Sequence, residues 1–374
     1  MSNLHILRYL RHRSRHNQAS PQQPHEESEN TVTSRRHRKV YRRDFLEQVI
    51  VDDVNCRHMC RFSIQEIYQI TNLLGLEEPL YFNGISASRQ MAFTMLVCRY
   101  SHLKRYSDME PVFKMHRKNI SKVCRGMEDL LFEKMKYGIQ FNTHHFREEN
   151  LKRLAAAIDE AGGLFPDVVG FIDGAFQQVS GPSTNNDRQK SLYNGWKHVR
   201  AIKYQSIVTP DGITSSIMGP VIGASHNVTT MKVLDAERRL QRHLHISDTE
   251  DYAIYGETPY TTTDNLYCPF PSYTNDPLEL SSNKSMSNVQ IAVEWEFAEV
   301  MSNFTFCKFK HATKVCSSNP AKVYILSTIF KNMLHCVRQG GYPTFSKFKV
   351  TPPTLEEYID CMRREKIEGE DEDM

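Results

Sequence analysis

A mixed α+β architecture is predicted, with a helical N-terminal region followed by a mixed sheet covered by helices. Two patterns predict it. Apolar residues recur at helical spacing between residues 41 and 145, and from about residue 166 the order reads strand, strand, strand, helix, strand, helix, helix. Composition agrees: of 374 residues, 40% are apolar and 24% charged, enough for a substantial core and too apolar for wholesale disorder. That length suits two or three domains, or one large domain with an appendage.

The helical region opens with FSIQEIYQITNLLGL, where Ser63 is placed as an N-cap with Glu66 three residues on, a capping-box pattern. Ile64, Ile67, Ile70, Leu73 and Leu74 repeat at helical spacing behind it. ASRQMAFTMLVCRYSHL reads as the next helix, followed by the short YSDMEPVFK, a break at Met115–His116, and RKNISKVCRGMEDLLFEKM. A short helix, a tight break and a second helix opening with Arg117, Lys118, Asn119, Ser121 and Lys122 suit a helix-turn-helix, whose second helix offers its front to base edges and phosphates. A plain helical bundle with a basic face fits the same pattern.

DVVGFIDGAFQQV is apolar and β-branched, as a buried strand should be. AIKYQSIVTPDGITSSIMGPVIG is two strands joined by a turn at Pro210-Asp211-Gly212. NVTTMKVLDAERRLQRHL is expected helical, then comes the strand YAIY ending at Gly256-Glu257. A loop rich in Pro, Ser, Asn and Tyr is expected over roughly 261–287, before the helices NVQIAVEWEFAEVMSNF and PAKVYILSTIFKNMLHCVR. Three sequential strands, antiparallel by their short connections, plus a helix crossing to a fourth, make a mixed sheet.

The net charge of +3 is unevenly spread. Residues 1–45 hold ten Lys/Arg against four acids, a net of +6, and residues 361–374 sum to −3. A basic arm attracts polyanions and can serve as a nuclear import signal; a solvated tail has the same composition. Residues 1–40 are expected to be disordered. No apolar run approaches the ~18 residues of a membrane span, and the N-terminus lacks the apolar core of a secretory signal. The nine cysteines have no dense spacing, which suits a reducing, intracellular setting. Cys56-x-His58-x-Cys60 is half of a metal motif without a second pair at zinc-finger spacing. P-loop, dinucleotide and nucleophile-elbow motifs are missing.

Three acids remain as candidates for chemistry. Asp173 ends a buried-looking strand (FIDG), Glu257 ends YAIYGE, and Glu294 falls on the apolar side of its helix among Ile291, Val293 and Phe297. At ~100° per residue, Glu296 and Glu299 then face solvent. Carboxylates gathered from two strand ends and a helix can hold two divalent ions for phosphoryl transfer, and oxygen-only ligands favour Mg²⁺ or Mn²⁺. Three unrelated acids, one a cap or ion-pair partner, would read the same. Arg188, Lys190, Lys197, His198, Arg200 and Lys203 follow Asp173 closely and suit DNA phosphates or a solvated loop. Tyr193 and Trp196 suit base stacking, with core packing the commoner use.

The series FIDGAFQQV, YNGWKHVRAIKYQSIVTPDGI, GPVIGASHN, YAIYGETPY, NVQIAVEWEF and LHC, over residues 60 to 345, resembles the PIF/Harbinger transposase family and its domesticated relatives. The resemblance implies an RNase H-like nuclease core with a DDE triad, here Asp173, Glu257 and Glu294, preceded by an all-α helix-turn-helix-like region. It further implies a Myb/SANT-like accessory protein that aids DNA recognition and nuclear entry. Two positions depart from the family pattern. Glu257 stands where the family usually has Asp, and Asn227 follows His226 where it usually has His-Asp. Glu is longer by one methylene, about 1.5 Å, and Mg²⁺ demands near-ideal octahedral geometry. Asp251 and Asp264 are poorer substitutes by position.

The expected organisation is a disordered basic arm (1–40), a helix-turn-helix-like DNA-binding domain (41–150), an RNase H-like DDE nuclease domain (151–348) and an acidic tail (349–374). The expected function is metal-dependent DNA cleavage and strand transfer in the nucleus, or also the cytoplasm, with Asp173, Glu257 and Glu294 holding Mg²⁺ or Mn²⁺. Arg117, Lys118, Asn119, Lys122, Arg188, Lys190, Lys197 and His198 are the DNA-binding candidates. The alternative is a domesticated, catalytically inactive binding protein on the same scaffold. A cytosolic metallohydrolase shares the carboxylates but leaves the basic arm without a role.

Overall fold

The computed structural model describes residues 52–363 apart from 181–189, 196–197, 226–228, 230, 232–233, 248–249, 259 and 309–318. The basic arm, Arg188, Trp196, Lys197 and Asn227 lie outside the described residues.

The chain enters through α1 (Asp53–Cys60) and α2 (Ile64–Leu73). The capping box starting α2 forms as its sequence predicts: Glu66 N donates to Ser63 Oγ at 3.2 Å, and Ser63 N to Glu66 Oε2 at 2.7 Å. A small hairpin, β1 (Leu80–Phe82) and β2 (Ile85–Ala87), leads to α3 (Arg89–Ser101), capped by Ser88. YSDMEPVFK yields only the single turn α4 (Glu110–Phe113), ended by Lys114 in the left-handed region. His116 caps the 24-residue α5 (Arg117–Gln140), whose Ile120, Val123, Met127, Leu131 and Met135 form a buried stripe at helical spacing. Next, α6 (Glu148–Glu160) buries Leu151, Leu154 and Ile158 against the strand that follows.

That strand is β3 (Val168–Gln178), the centre of the main sheet. β5 (Val199–Val208) runs antiparallel to it, and β6 (Thr214–Ile222) antiparallel to β5. The two-residue β4 (Tyr193–Asn194) pairs with the start of β5. After α7 (Ala236–Leu244) and a small ribbon of β7 (His245–Ser247) and β8 (Glu250–Asp251), the chain returns as β9 (Ala253–Gly256), parallel to β3 on its other side. β10 (Leu266–Tyr267) adds a further parallel strand. The sheet therefore reads β10-β9-β3-β5-β6, with an antiparallel half and a parallel half meeting at β3.

The expected loop over 261–287 is instead divided. Leu266–Tyr267 pairs as β10, and Asp276 caps a 27-residue helix, α8 (Pro277–Asn303). Pro277 at the first helical turn, preceded by Asp, is the usual opening of a helix, and the composition of the loop had masked it. A 3₁₀ turn (Thr305–Lys308), α9 (Pro320–Arg338), α10 (Pro343–Phe348) and α11 (Leu355–Met362) complete the fold. α11 lies in the stretch grouped by composition with the acidic tail, yet it buries Leu355, Tyr358, Ile359 and Met362.

The face of the sheet that carries Tyr204 packs on α9, with Tyr204 stacked on Tyr324 at 4.5 Å between ring centres. That core is continuous with the N-terminal helices, through Phe93, Tyr100, Phe304 and Phe330. A second core gathers α6, α7, β9 and the start of α8 around Val169, Ile207 and Ile254.

Candidate active site

Sheet register brings two of the three candidate acids together. β3 and β9 run in parallel through Phe171↔Tyr255 and Ile172↔Gly256, and their pairing ends there. Asp173 in β3 and Glu257, the residue after β9, directly follow that last pair, so register leaves them neighbours at the opening. β3 continues to Gln178 along β5 alone, so the parallel half opens just at the two acids. Carboxyl ends of parallel strands are where open α/β sheets bind ligands. Both side chains are partly exposed. Asp173 Oδ1 accepts from Gly174 N, and Ser206, its partner across the β5 ladder, is buried with no hydrogen bond to its hydroxyl among the described residues.

Tyr260 is a site residue that sequence reasoning missed. Its amide donates to Glu257 O at 3.0 Å, closing a turn that folds its ring back over Gly256. A Cβ on Gly256 would lie 2.8 Å from that ring, so the glycine makes room for it. Gln205 Nε2 donates to the Tyr260 hydroxyl at 3.4 Å. Burial pushes the phenol up, and the charges of Asp173 and Glu257 push it further. The phenol therefore stays protonated beside the acids. Its signal was the Glu-Thr-Pro-Tyr turn directly behind a strand end.

Glu294 is placed differently from its sequence expectation. The buried stripe of α8 runs through Met286, Val289, Glu296 and Val300, and on to Phe304 just past its end, whereas Glu294 and Ile291 are exposed. Glu294 sits about 120° around the helix from the middle of that stripe. α8 itself packs across β3 and β5. The reading of Glu296 and Glu299 as solvent-facing is overturned: Glu296 is fully buried and Glu299 largely so. Sequence periodicity misassigned the face because Glu296 has a cationic partner 35 positions away, which no local pattern reveals.

That partner is Lys331 on α9, equally buried, whose ammonium contacts Glu296 Oε2. Lys331 Nζ also donates to Gly212 O at 3.0 Å and Thr214 Oγ1 at 3.2 Å, and Thr344 Oγ1 donates to Glu296 Oε1 at 2.7 Å. One turn on, His335 Nε2 lies 2.6 Å from Glu299 Oε2. Burial pushes the His335 imidazolium down to about 4 and the Glu299 carboxyl up. Among the described residues, Glu296, Glu299 and His335 are the group whose three ligand atoms lie within 4.8 Å of one another; Asp173, Glu257 and Glu294 do not form such a group. Two carboxylates and an imidazole suit a divalent ion by donor type. Here, however, the Lys331 ammonium already occupies the position of a cation.

The substitutes for the second acid do not serve: Asp251 pairs with His245 at 2.5 Å on the separate ribbon, and Asp264 is exposed on the loop before β10. Arg117, Lys118 and Lys122 are exposed at the start of α5, with Asn119 half-buried. Lys190 and His198 are exposed near the β4–β5 hairpin. Tyr193, for which core packing was the commoner expectation, is exposed and bonds His198 Nδ1 through its hydroxyl at 3.1 Å. Cys56 and Cys60 belong to the apolar core while His58 faces out, so these residues do not converge on a metal.

Residues 172–332 match the family model described as DDE superfamily endonuclease. The matched stretch begins one residue before Asp173 and contains Glu257, Tyr260, Glu294 and Lys331. The match supports a DDE transposase family, a class of nuclease that acts on DNA and generally uses divalent metal ions. No curated protein and no solved structure matches the chain. Among the described residues, no helix is long and apolar enough to cross a membrane.

Proposed function

We propose that this chain is a PIF/Harbinger-type transposase-derived nuclease that cleaves and transfers DNA strands in the nucleus. Its mixed sheet, three antiparallel strands extended by two parallel ones, is read as an RNase H-like core. The observation that carries the reading is the pair Asp173 and Glu257 at the opening between β3 and β9, inside the stretch that matches the DDE family. Their all-oxygen donor set fits Mg²⁺ or Mn²⁺. Asp173 and Glu257 would hold the metal, with Glu294 the third ligand from α8. Bound there, a divalent pair supplies an activated water or hydroxyl and stabilises the leaving oxygen. The chain's own contribution is to fix the two carboxylates by register and to keep the Tyr260 hydroxyl protonated beside them.

Arg117, Lys118, Asn119 and Lys122 are read as the front of a helix-turn-helix recognition helix. Lys190 and His198, with Arg188 and Lys197, are read as phosphate contacts near the site. The basic arm suits nuclear import, and a Myb/SANT-like protein is the proposed accessory. A second reading, a domesticated protein that binds DNA without cutting it, is favoured by Glu257 and Asn227 standing where the family usually has Asp. The test is cleavage of end-containing DNA with Mg²⁺ or Mn²⁺. The nuclease reading expects metal-dependent cuts that Asp173→Ala abolishes. Cuts unaffected by that change remove the site assignment, and DNA binding without cleavage selects the second reading.

A further inference from the structure

Burying a lysine and a glutamate together carries a desolvation cost that can exceed their attraction, and apolar residues of the same size commonly stabilise as well or better. The Glu296–Lys331 pair is therefore poorly explained as a source of stability. What it has, and apolar packing lacks, is direction. Lys331 commits its ammonium to Glu296 on α8, to the Gly212 carbonyl in the β5–β6 turn and to Thr214 on β6. Thr344 on α10 holds the other oxygen of Glu296. Asn332, the neighbour of Lys331, fastens both backbone groups of Thr214, donating to its carbonyl at 2.9 Å and accepting from its amide at 3.0 Å. The turn presses on the same network, for a Cβ on Gly212 would lie 2.7 Å from His335 Nδ1.

The stripe of Met286, Val289 and Val300 selects which face of α8 is buried, but none of its side chains is tied to a single partner. Slipping α8 by one residue turns it by about 100° and moves it 1.5 Å. That slip would expose the stripe and would also leave two buried charges unpaired, so the ion pair adds a directional restraint to the apolar one. Glu294 stands two residues before Glu296, so its direction is set by the same rotation. We propose that the buried Glu296–Lys331 pair is a positioning lock, fixing the rotation of α8 against the sheet and with it the direction of Glu294, the third acid of the nuclease reading. Glu294's role rests on the nuclease reading above; the rotational lock does not.

The test uses the full chain carrying Trp196→Phe, which leaves Trp295, between Glu294 and Glu296, as the only tryptophan. Labelled with 5-fluorotryptophan, this parent should give a single ¹⁹F resonance. The paired substitution Glu296→Leu/Lys331→Met should melt no lower than the parent, yet give two or more Trp295 resonances and at least tenfold less Mn²⁺-dependent cleavage. Thr344→Val, which removes one bond to Glu296, should add a minor resonance and lower cleavage by a smaller factor. A folded paired variant with one resonance and parental cleavage overturns the lock. If the paired variant does not fold, one resonance and parental cleavage in Thr344→Val overturn it. Wild type without cleavage, or with cleavage that survives Asp173→Ala, sinks the nuclease reading instead, and the resonance count still decides the lock.

Discussion

Replacing Glu257 by Gln should stabilise the metal-free protein and make it indifferent to divalent ions. Register sets Asp173 and Glu257 directly after the last paired residues of neighbouring strands. Two unit charges at a separation of about 5 Å would repel by about 1 kcal/mol in water and about 3 kcal/mol at an effective dielectric of 20. Both side chains are partly exposed, so the lower half of that range applies. Glu257→Gln removes the repulsion and should raise the melting temperature in chelator by about 1–3 °C, at about 1–2 °C per kcal/mol for a chain of 374 residues. In Mn²⁺ the order should reverse. A cation bound only to the folded wild type, at a hundred times its dissociation constant, adds about 2.7 kcal/mol, while the variant gains little. Differential scanning fluorimetry of wild type, Glu257→Gln and Asp173→Asn, each with chelator and across a Mn²⁺ titration, reads both effects. A variant that melts below wild type in chelator, or that keeps the full Mn²⁺ shift, refutes the idea that these two carboxylates share one ion.

Two further predictions concern stability. Glu128 on α5 accepts from the Tyr100 hydroxyl at 2.9 Å, and burial pushes its carboxyl up to about 7. Because the folded protein holds this proton more tightly than the unfolded chain, whose Glu titrates near ~4.3, wild-type stability should fall as pH rises from about 4.3 to 7. Glu128→Gln escapes that loss, so urea unfolding should show its advantage growing from little at pH 5 to about 1–3 kcal/mol at pH 8; an advantage that does not vary with pH contradicts the reasoning. Gly138 on α5 faces Met362 on α11, where an added Cβ would lie 2.6 Å from the Met362 Cα. Helix propensity favours Gly138→Ala by about 1 kcal/mol, but overpacking against backbone costs about 1–3 kcal/mol, so the variant should melt lower. A higher melting temperature would show that α11 yields.

Local chemistry was read correctly where a signal is complete within a few residues. Ser63 and Glu66 cap α2, Pro210-Asp211-Gly212 turns β5 into β6, and the apolar β-branched run around Asp173 is a strand. The helix start at Pro277 was hidden by its turn-forming neighbours, although the Asp276–Pro277 cap was present. Tyr260 was passed over because its importance comes from a fold-back over Gly256 that spacing alone does not show.

The sequence by itself determined most of the main strands and helices, and that Asp173 lies in one strand while Glu257 follows another, because capping, turn and period signals are local. Only tertiary structure decided which side of α8 is buried. That choice depends on a lysine on another helix, whose charge makes burial of Glu296 tolerable and turns Glu294 outward. The juxtaposition of Asp173 with Glu257 was decided the same way, since the pairing of β3 with β9 joins residues more than eighty positions apart, and register between distant strands is fixed by the packing of the whole sheet.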